Sequence, residues 1–161
     1  MDGDLIGGKM YPLVGNKLDV KIRHGVIKDI TSIFEFDNIH DDMWTEDDFK
    51  KFRKSNESLF LIAEAGKCCV GYVCGFLKEN KIHLINLAVS TLLRRQYIGT
   101  QLIDHVKRSF MRGKHTIYTE IDERNLVGQL FLKSLEFKAT TTMHKFFGAY
   151  DGILMEFCPF L

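Results

Sequence analysis

Little interrupts the backbone of this 161-residue chain. It has two prolines, Pro12 and Pro159, so the stretch between them is free to form regular structure, and no Pro/Ser-rich linker divides it. Net charge is nearly absent too. With 22 Lys+Arg against 21 Asp+Glu the formal charge is +1, without the broad positive field that draws a protein to nucleic acid or an anionic membrane. Neither is expected as a partner. No run reaches the ~18 consecutive apolar residues of a membrane span, and Met1-Asp2-Gly3-Asp4 places acids where a secretory signal has basic residues, so the expected location is the cytoplasm. Cysteine is scarce: Cys68, Cys69, Cys74 and Cys158 include no Cys-x-x-Cys pair and no His at zinc spacing, which excludes a metal knuckle and a redox motif. Neither Cys74 nor Cys158 has a nearby His to generate a thiolate nucleophile, and both read as small hydrophobes.

What is present is enough to fill one core. A hydrophobic content of 45%, with 13 Phe and 5 Tyr, excludes disorder. Gly3, Gly7, Gly8 and Gly15 suggest a loose arm over residues 1–17, ahead of a single domain over 18–161. The first strand is expected at 19–23. Apolar residues then recur at helical spacing from Val26 to Phe36, and a second helix starts at Thr45, a capping residue followed by Glu46, Asp47 and Asp48. Strands follow at 59–65, 67–77 and 81–89, then a loop over 90–97. The helix after it carries Ile98, Leu102, Ile103, Val106 and Phe110 on one face and ends at Gly113. A strand at 116–121, a helix capped by Asn125 and closing strands at 138–147 and 152–157 complete the order β-α-α-β-β-β-α-β-α-β-β. That is an α/β (α+β) fold, a mixed, mostly antiparallel sheet with helices on both faces.

The segment Asn86-Leu87-Ala88-Val89-Ser90-Thr91-Leu92-Leu93-Arg94-Arg95-Gln96-Tyr97-Ile98-Gly99-Thr100 runs from a strand through a loop into a helix. The first N–H groups of that helix lack intrahelical partners and sit at the positive end of its dipole, so the segment suits an anion. Gly99 lets a phosphate approach the backbone, and Arg94 and Arg95 offer forked donors. The Lys-Ser/Thr of a nucleotide-triphosphate loop and the three-glycine dinucleotide spacing are both missing. Taken alone, a helix start with two solvated arginines reads equally well.

This segment resembles the coenzyme-A pyrophosphate loop of the GNAT superfamily of N-acetyltransferases, Arg/Gln-x-x-Gly-x-Gly/Ala, here Arg94-x-x-Tyr97-x-Gly99. A second stretch, Asn125 to Phe137, resembles the family pattern Asn-x-x-Ala-x-x-x-Tyr-x-x-x-Gly-Phe. The resemblance spans roughly residues 18–157. Within the superfamily the chain is most similar to the ribosomal-protein N-terminal alanine acetyltransferase group, through Trp44-Thr45-Glu46, Asn86-Leu87-Ala88-Val89, Glu120 and Asn125. Three positions depart from the patterns. Tyr97 replaces the first loop glycine, Leu132 the tyrosine that usually acts as general acid, and Glu136 the helix-ending glycine, at a cost of roughly 1–2 kcal/mol if Glu136 is left-handed.

The resemblance implies acetyl-coenzyme A as cosubstrate, held by Leu87, Val89, Arg94, Arg95, Gln96, Tyr97, Ile98, Gly99, Thr100 and Asn125. It also implies a strand that splays from its neighbour near Leu87–Val89, leaving the Val89 N–H to polarise the thioester oxygen. Glu120 matches the family's carboxylate and is the expected base, working through water. Tyr150, in the turn between the closing strands, and Tyr97 are candidate acids; His144 reads as structural. A thiol of pKa ~8.5 leaves as thiolate at pH 7 for about 2 kcal/mol, so lack of the family tyrosine slows the reaction without forbidding it. The acceptor is an amine, with a protein N-terminus the first reading. Acids at Glu35, Asp37, Asp41, Asp42, Glu46, Asp47 and Asp48 would attract a small cation such as a polyamine or aminoglycoside, or they merely decorate helix ends. A non-catalytic acetyl-coenzyme-A-binding module is the rival from another class.

Overall fold

The computed structural model describes residues 3–6, 8–15, 17–36, 45–110 and 116–159. Where the sequence suggests a loose arm, there is a small antiparallel sheet of three strands, β1 (Gly3–Ile6), β2 (Lys9–Val14) and β3 (Lys17–Leu18). Gly3 lies opposite Pro12, and Leu13 opposite Leu18. The glycines that look like looseness serve as turn residues: Gly8 and Gly15 have φ of +79° and +63°, which a side chain would resist.

The remaining elements follow the order the sequence predicts. They are β4 (Lys21–His24), α1 (Asp29–Phe36), α2 (Glu46–Arg53), β5 (Ser58–Ala65), β6 (Cys68–Lys78), β7 (Lys81–Val89), α3 (Ile98–Phe110), β8 (Thr116–Asp122), α4 (Leu126–Ser134), β9 (Lys138–Phe147) and β10 (Tyr150–Phe157). Helix α1 begins later than its apolar spacing suggests. The Asp29 carboxylate accepts the Val26 N–H at 2.8 Å, which folds residues 26–28 into a turn ahead of the helix. At α2 the Thr45 hydroxyl accepts the Asp48 N–H while the Asp48 carboxylate accepts the Thr45 N–H, a reciprocal cap. Gly113, the predicted end of α3, lies outside the described residues.

The larger sheet has the hydrogen-bonded order β4-β5-β6-β7-β8-β10-β9 and is flanked by helices. Strand β7 pairs with β8 in parallel, whereas β4 with β5, β8 with β10 and β10 with β9 are antiparallel. The chain divides into two compact units, Met1–Cys74 with Asn86–Lys107 and Gly75–Ile85 with Arg108–Leu161. In the first, Phe49 of α2 meets Phe34, Phe52, Phe60 and Tyr72 edge-on or tilted, at ring separations of 5.7 to 6.1 Å. In the second, Ile82, Ile117, Leu132, Phe137, Met155 and Phe157 are buried. No described helix is long and apolar enough to cross a membrane.

Two glycines of β6 fix spacings that matter below. A Cβ on Gly71 would lie 3.0 Å from the Ala88 carbonyl oxygen and 3.2 Å from Ile98 Cγ2. The bare α-carbon therefore lets the start of α3 close against β6. A Cβ on Gly75 would lie 2.2 Å from the His83 carbonyl oxygen, a separation that real structures do not show.

Candidate functional site

In the first unit, the chain between β7 and α3 is anchored at both ends and exposed between. Ser90 N–H donates to the Val70 carbonyl at 2.9 Å, and residues 91–93 make a single 3-10 turn that buries Leu93 completely. Ile98, first residue of α3, is the second buried anchor. Between them Arg94, Arg95, Gln96 and Tyr97 all face solvent. Arg95 and Tyr97 are left-handed, at φ +64° and +60°, and this sharp reversal lets so short a segment enter the helix. Tyr97 thus adopts the conformation that the family pattern's glycine would adopt without strain.

The chemistry this arrangement offers is anion binding. The N–H groups of Ile98, Gly99 and Thr100 have no carbonyl one turn earlier within the helix, and no acid lies in the first turn of α3. Arg94 and Arg95 stand immediately before that terminus. Among the described residues, Arg94 Nε makes a long bond of 3.4 Å to the Val89 carbonyl. Leu87 and Val89 are half-buried at the end of β7.

Glu120, Asn125 and Tyr150 belong to the second unit. Asn125 caps α4, its Oδ1 accepting the Gly128 N–H at 2.9 Å, so the oxygen of this predicted cofactor residue is engaged locally. Glu120 projects from the middle of β8. Its Oε2 lies 2.5 Å from Nε2 of His83 on β7, and both side chains are mostly buried, at 17% and 18% exposure. The parallel ladder creates the meeting: it pairs Lys81–His83 with Thr116–Tyr118 and covers only the first three of the nine residues of β7. His83 therefore lies opposite Tyr118, two residues from Glu120, and its ring stacks on the Tyr118 ring at 4.5 Å and 9°. Burial foremost, then the charges of Glu120 and Glu156, push the Tyr118 phenol up, so it stays protonated.

Tyr150 is the first residue of β10, opposite Phe147, so it flanks the tight turn it was predicted to occupy. The Arg124 guanidinium covers its ring at 3.3 Å. Arg124 also forks onto Asp122, at 2.9 and 2.6 Å, and these bonds draw the Asp122 carboxyl down to about 2. His144 pairs with Asp151 at 3.0 Å, and Asp151 also accepts the Lys145 N–H. Leu132, at the family's tyrosine position, is buried in α4.

Of the proposed acidic rim, the three acids at the start of α2 are engaged in local contacts. Glu46 and Asp47 both reach Lys50, at 2.9 and 3.7 Å, and Asp48 belongs to the α2 cap. Asp37, Asp41, Asp42 and Trp44 lie outside the described residues, as does the side chain of Glu35.

Residues 25–137 match the model of the acetyltransferase (GNAT) family. By sequence, no curated protein matches the chain. Among solved structures, the ribosomal-protein-S18-alanine N-acetyltransferase from Escherichia coli superposes with a TM-score of 0.78 at 20% identity, covering 87% of this chain and 94% of its own. Ard1 from Thermoplasma volcanium gives 0.79 at 17%, covering 86% and 97%. The PaiA N-acetyltransferase from Thermoplasma acidophilum, solved with coenzyme A, gives 0.75 at 18%, covering 88% and 99%.

Proposed function

Because the chain belongs to the GNAT acetyltransferase family, we propose that it transfers the acetyl group of acetyl-coenzyme A directly to a primary amine, the preferred acceptor being the α-amine of a protein or peptide N-terminus. The observation that carries this reading is the exposed Arg94–Tyr97 arc held between buried Leu93 and Ile98, directly before the N-terminus of α3. Its donor set fits a diphosphate: two forked cations and a row of free N–H groups, without a competing acid in the first turn.

Acetyl-coenzyme A supplies an activated acyl carbon and a thiol that departs. In this reading Arg94 and Arg95 pair with the diphosphate oxygens and the N–H groups of Gln96 to Thr100 complete that cradle. Leu87 and Val89 offer backbone groups to the pantetheine arm, and the Val89 N–H polarises the acyl oxygen. Glu120 takes the proton of the amine through water, and Tyr150, its ring fixed under Arg124, returns one to the departing sulfur. Asn125 holds the start of α4.

The N-terminal acceptor is favoured over a polycation because the acids at the start of α2 are committed to Lys50 and the Thr45 cap. The test offers acetyl-coenzyme A with peptides bearing a free N-terminus, peptides with a blocked N-terminus plus Lys, and spermidine, with thiol release and mass spectrometry as readouts. Acetylation of the free α-amine is expected. Cofactor binding without thiol release for any amine would turn the reading into that of a binding module.

A further inference from the structure

The contact between His83 and Glu120 has no counterpart in either sequence motif, since it joins residues 37 positions apart through strand register. We propose that His83 is a positioning residue acting through Glu120, and that the two side chains hold one proton between them and exchange it as a unit. This rests on the reading of Glu120 as the proton acceptor.

Geometry carries the argument. A nitrogen and an oxygen 2.5 Å apart leave no room for a water and no way to be indifferent to each other's protonation. With the proton on Nε2, His83 donates to Oε2 and the pair bears one negative charge. Oε1 is then the oxygen left to accept. When the amine's N–H bond breaks and an O–H bond forms on Glu120, the pair becomes neutral, and the imidazole stays in place because its ring is clamped flat on Tyr118.

The surroundings are consistent with a held pair rather than a solvated ion pair. On β7 the nearest charge is Lys81, whose ammonium sits 6.0 Å from the Tyr118 ring centre. On β8 the flanking groups are Tyr118 and Asp122, the latter committed to Arg124. Across β10, Glu156 lies opposite Tyr118 and Leu154 opposite Glu120. The adjoining part of β6, Gly75 to Leu77, contains no acid or base. Neither Nδ1 of His83 nor Oε1 of Glu120 has a hydrogen-bond partner among the described residues, so the pair keeps a free acceptor oxygen.

Two variants separate positioning from structure. In His83→Gln an amide still donates to Glu120 but accepts no proton; in His83→Ala both functions go. The proposal expects kcat to fall about 10-fold or more in His83→Gln and about 100-fold in His83→Ala, within the range of a general-base contribution. KM for acetyl-coenzyme A should change less than about twofold, and the ascending limb of kcat/KM against pH should move in His83→Gln. Independently of activity, the wild-type protein should show a downfield imidazole N–H proton resonance that disappears in Glu120→Gln. Wild-type kcat and an unmoved profile in both variants overturn the proposal, as does a loss of activity in His83→Gln explained by a collapsed melting temperature. If the wild-type protein acetylates no amine, the proposed function fails, and the pair is then judged by the resonance: its absence overturns the proposal.

Discussion

Arg23 grips Asp29 through both terminal guanidinium nitrogens, each 2.8 Å from a carboxylate oxygen, and directs Nε and Nη2 to Glu64 as well. Burial alone would raise the Asp29 carboxyl. The Arg23 hydrogen bonds, the Val26 N–H and the Arg23 charge outweigh it and hold the group below the usual carboxylate range. A folded-state pKa below the unfolded ~3.9 means that the stabilisation is fully present above that value and disappears as pH falls through the lower folded one. Asp29→Asn should therefore cost about 1–3 kcal/mol at pH 7, since Arg23 keeps Glu64 but loses its bidentate carboxylate partner, and the turn ahead of α1 is weakened. Urea unfolding at pH 7 and below pH 3 checks this, and the gap to the native protein should narrow in acid.

Removing the forked donors before α3 should weaken cofactor binding without disturbing the fold, because Arg94 and Arg95 are exposed. Arg94→Ala and Arg95→Ala are each expected to cost about 1–3 kcal/mol in acetyl-coenzyme-A affinity by calorimetry. Unchanged affinity in the double variant would remove the phosphate role from this loop.

Glu136 ends α4 in a left-handed conformation, φ +69°. Its N–H reaches the Lys133 carbonyl and the Phe137 N–H the Leu132 carbonyl. That is the two-bond closure in which glycine is normally found. Glu136→Gly relieves roughly 1–2 kcal/mol of strain and adds somewhat less than 1 kcal/mol of unfolded-state entropy. A net gain of about 0.5–1 kcal/mol should raise the melting temperature by ~1–4 °C.

Magnitudes also order the acceptors. An α-amine of pKa ~7.7–8.0 needs about 1 kcal/mol to become neutral at pH 7, a Lys amine of pKa ~10.4 about 4.6. The free-N-terminus peptide should accordingly exceed the blocked Lys peptide in kcat/KM at pH 7, with the gap shrinking as pH rises. Little salt dependence is expected for either, because the acids of α2 are engaged locally.

The main elements were legible because their signals are local. Thr45 and Asn125 cap the helices they were assigned, and the 3.6-residue spacing of Ile98, Leu102 and Val106 marks a face that is buried. Left-handed Glu136 was foreseeable from a pattern whose glycine it replaces. The N-terminal strands were not, since a glycine-rich stretch reads alike whether its glycines serve turns or mere looseness. His83 was invisible for a different reason. Its partner is selected by which residue of β8 the parallel ladder sets beside it, and nothing near either residue in sequence encodes that register.

Gly75 contributes no functional group, yet its α-hydrogen is the widest substituent the His83 carbonyl will tolerate. Every single-base change of a glycine codon that alters the residue introduces a Cβ, and here that carbon would meet backbone, which yields far less readily than the end of a side chain. The close approach of the His83 backbone thus closes a codon on the neighbouring strand to variation. In a library selected for activity, position 75 should come back as glycine even while the polar, solvent-facing threonines of β9 drift freely.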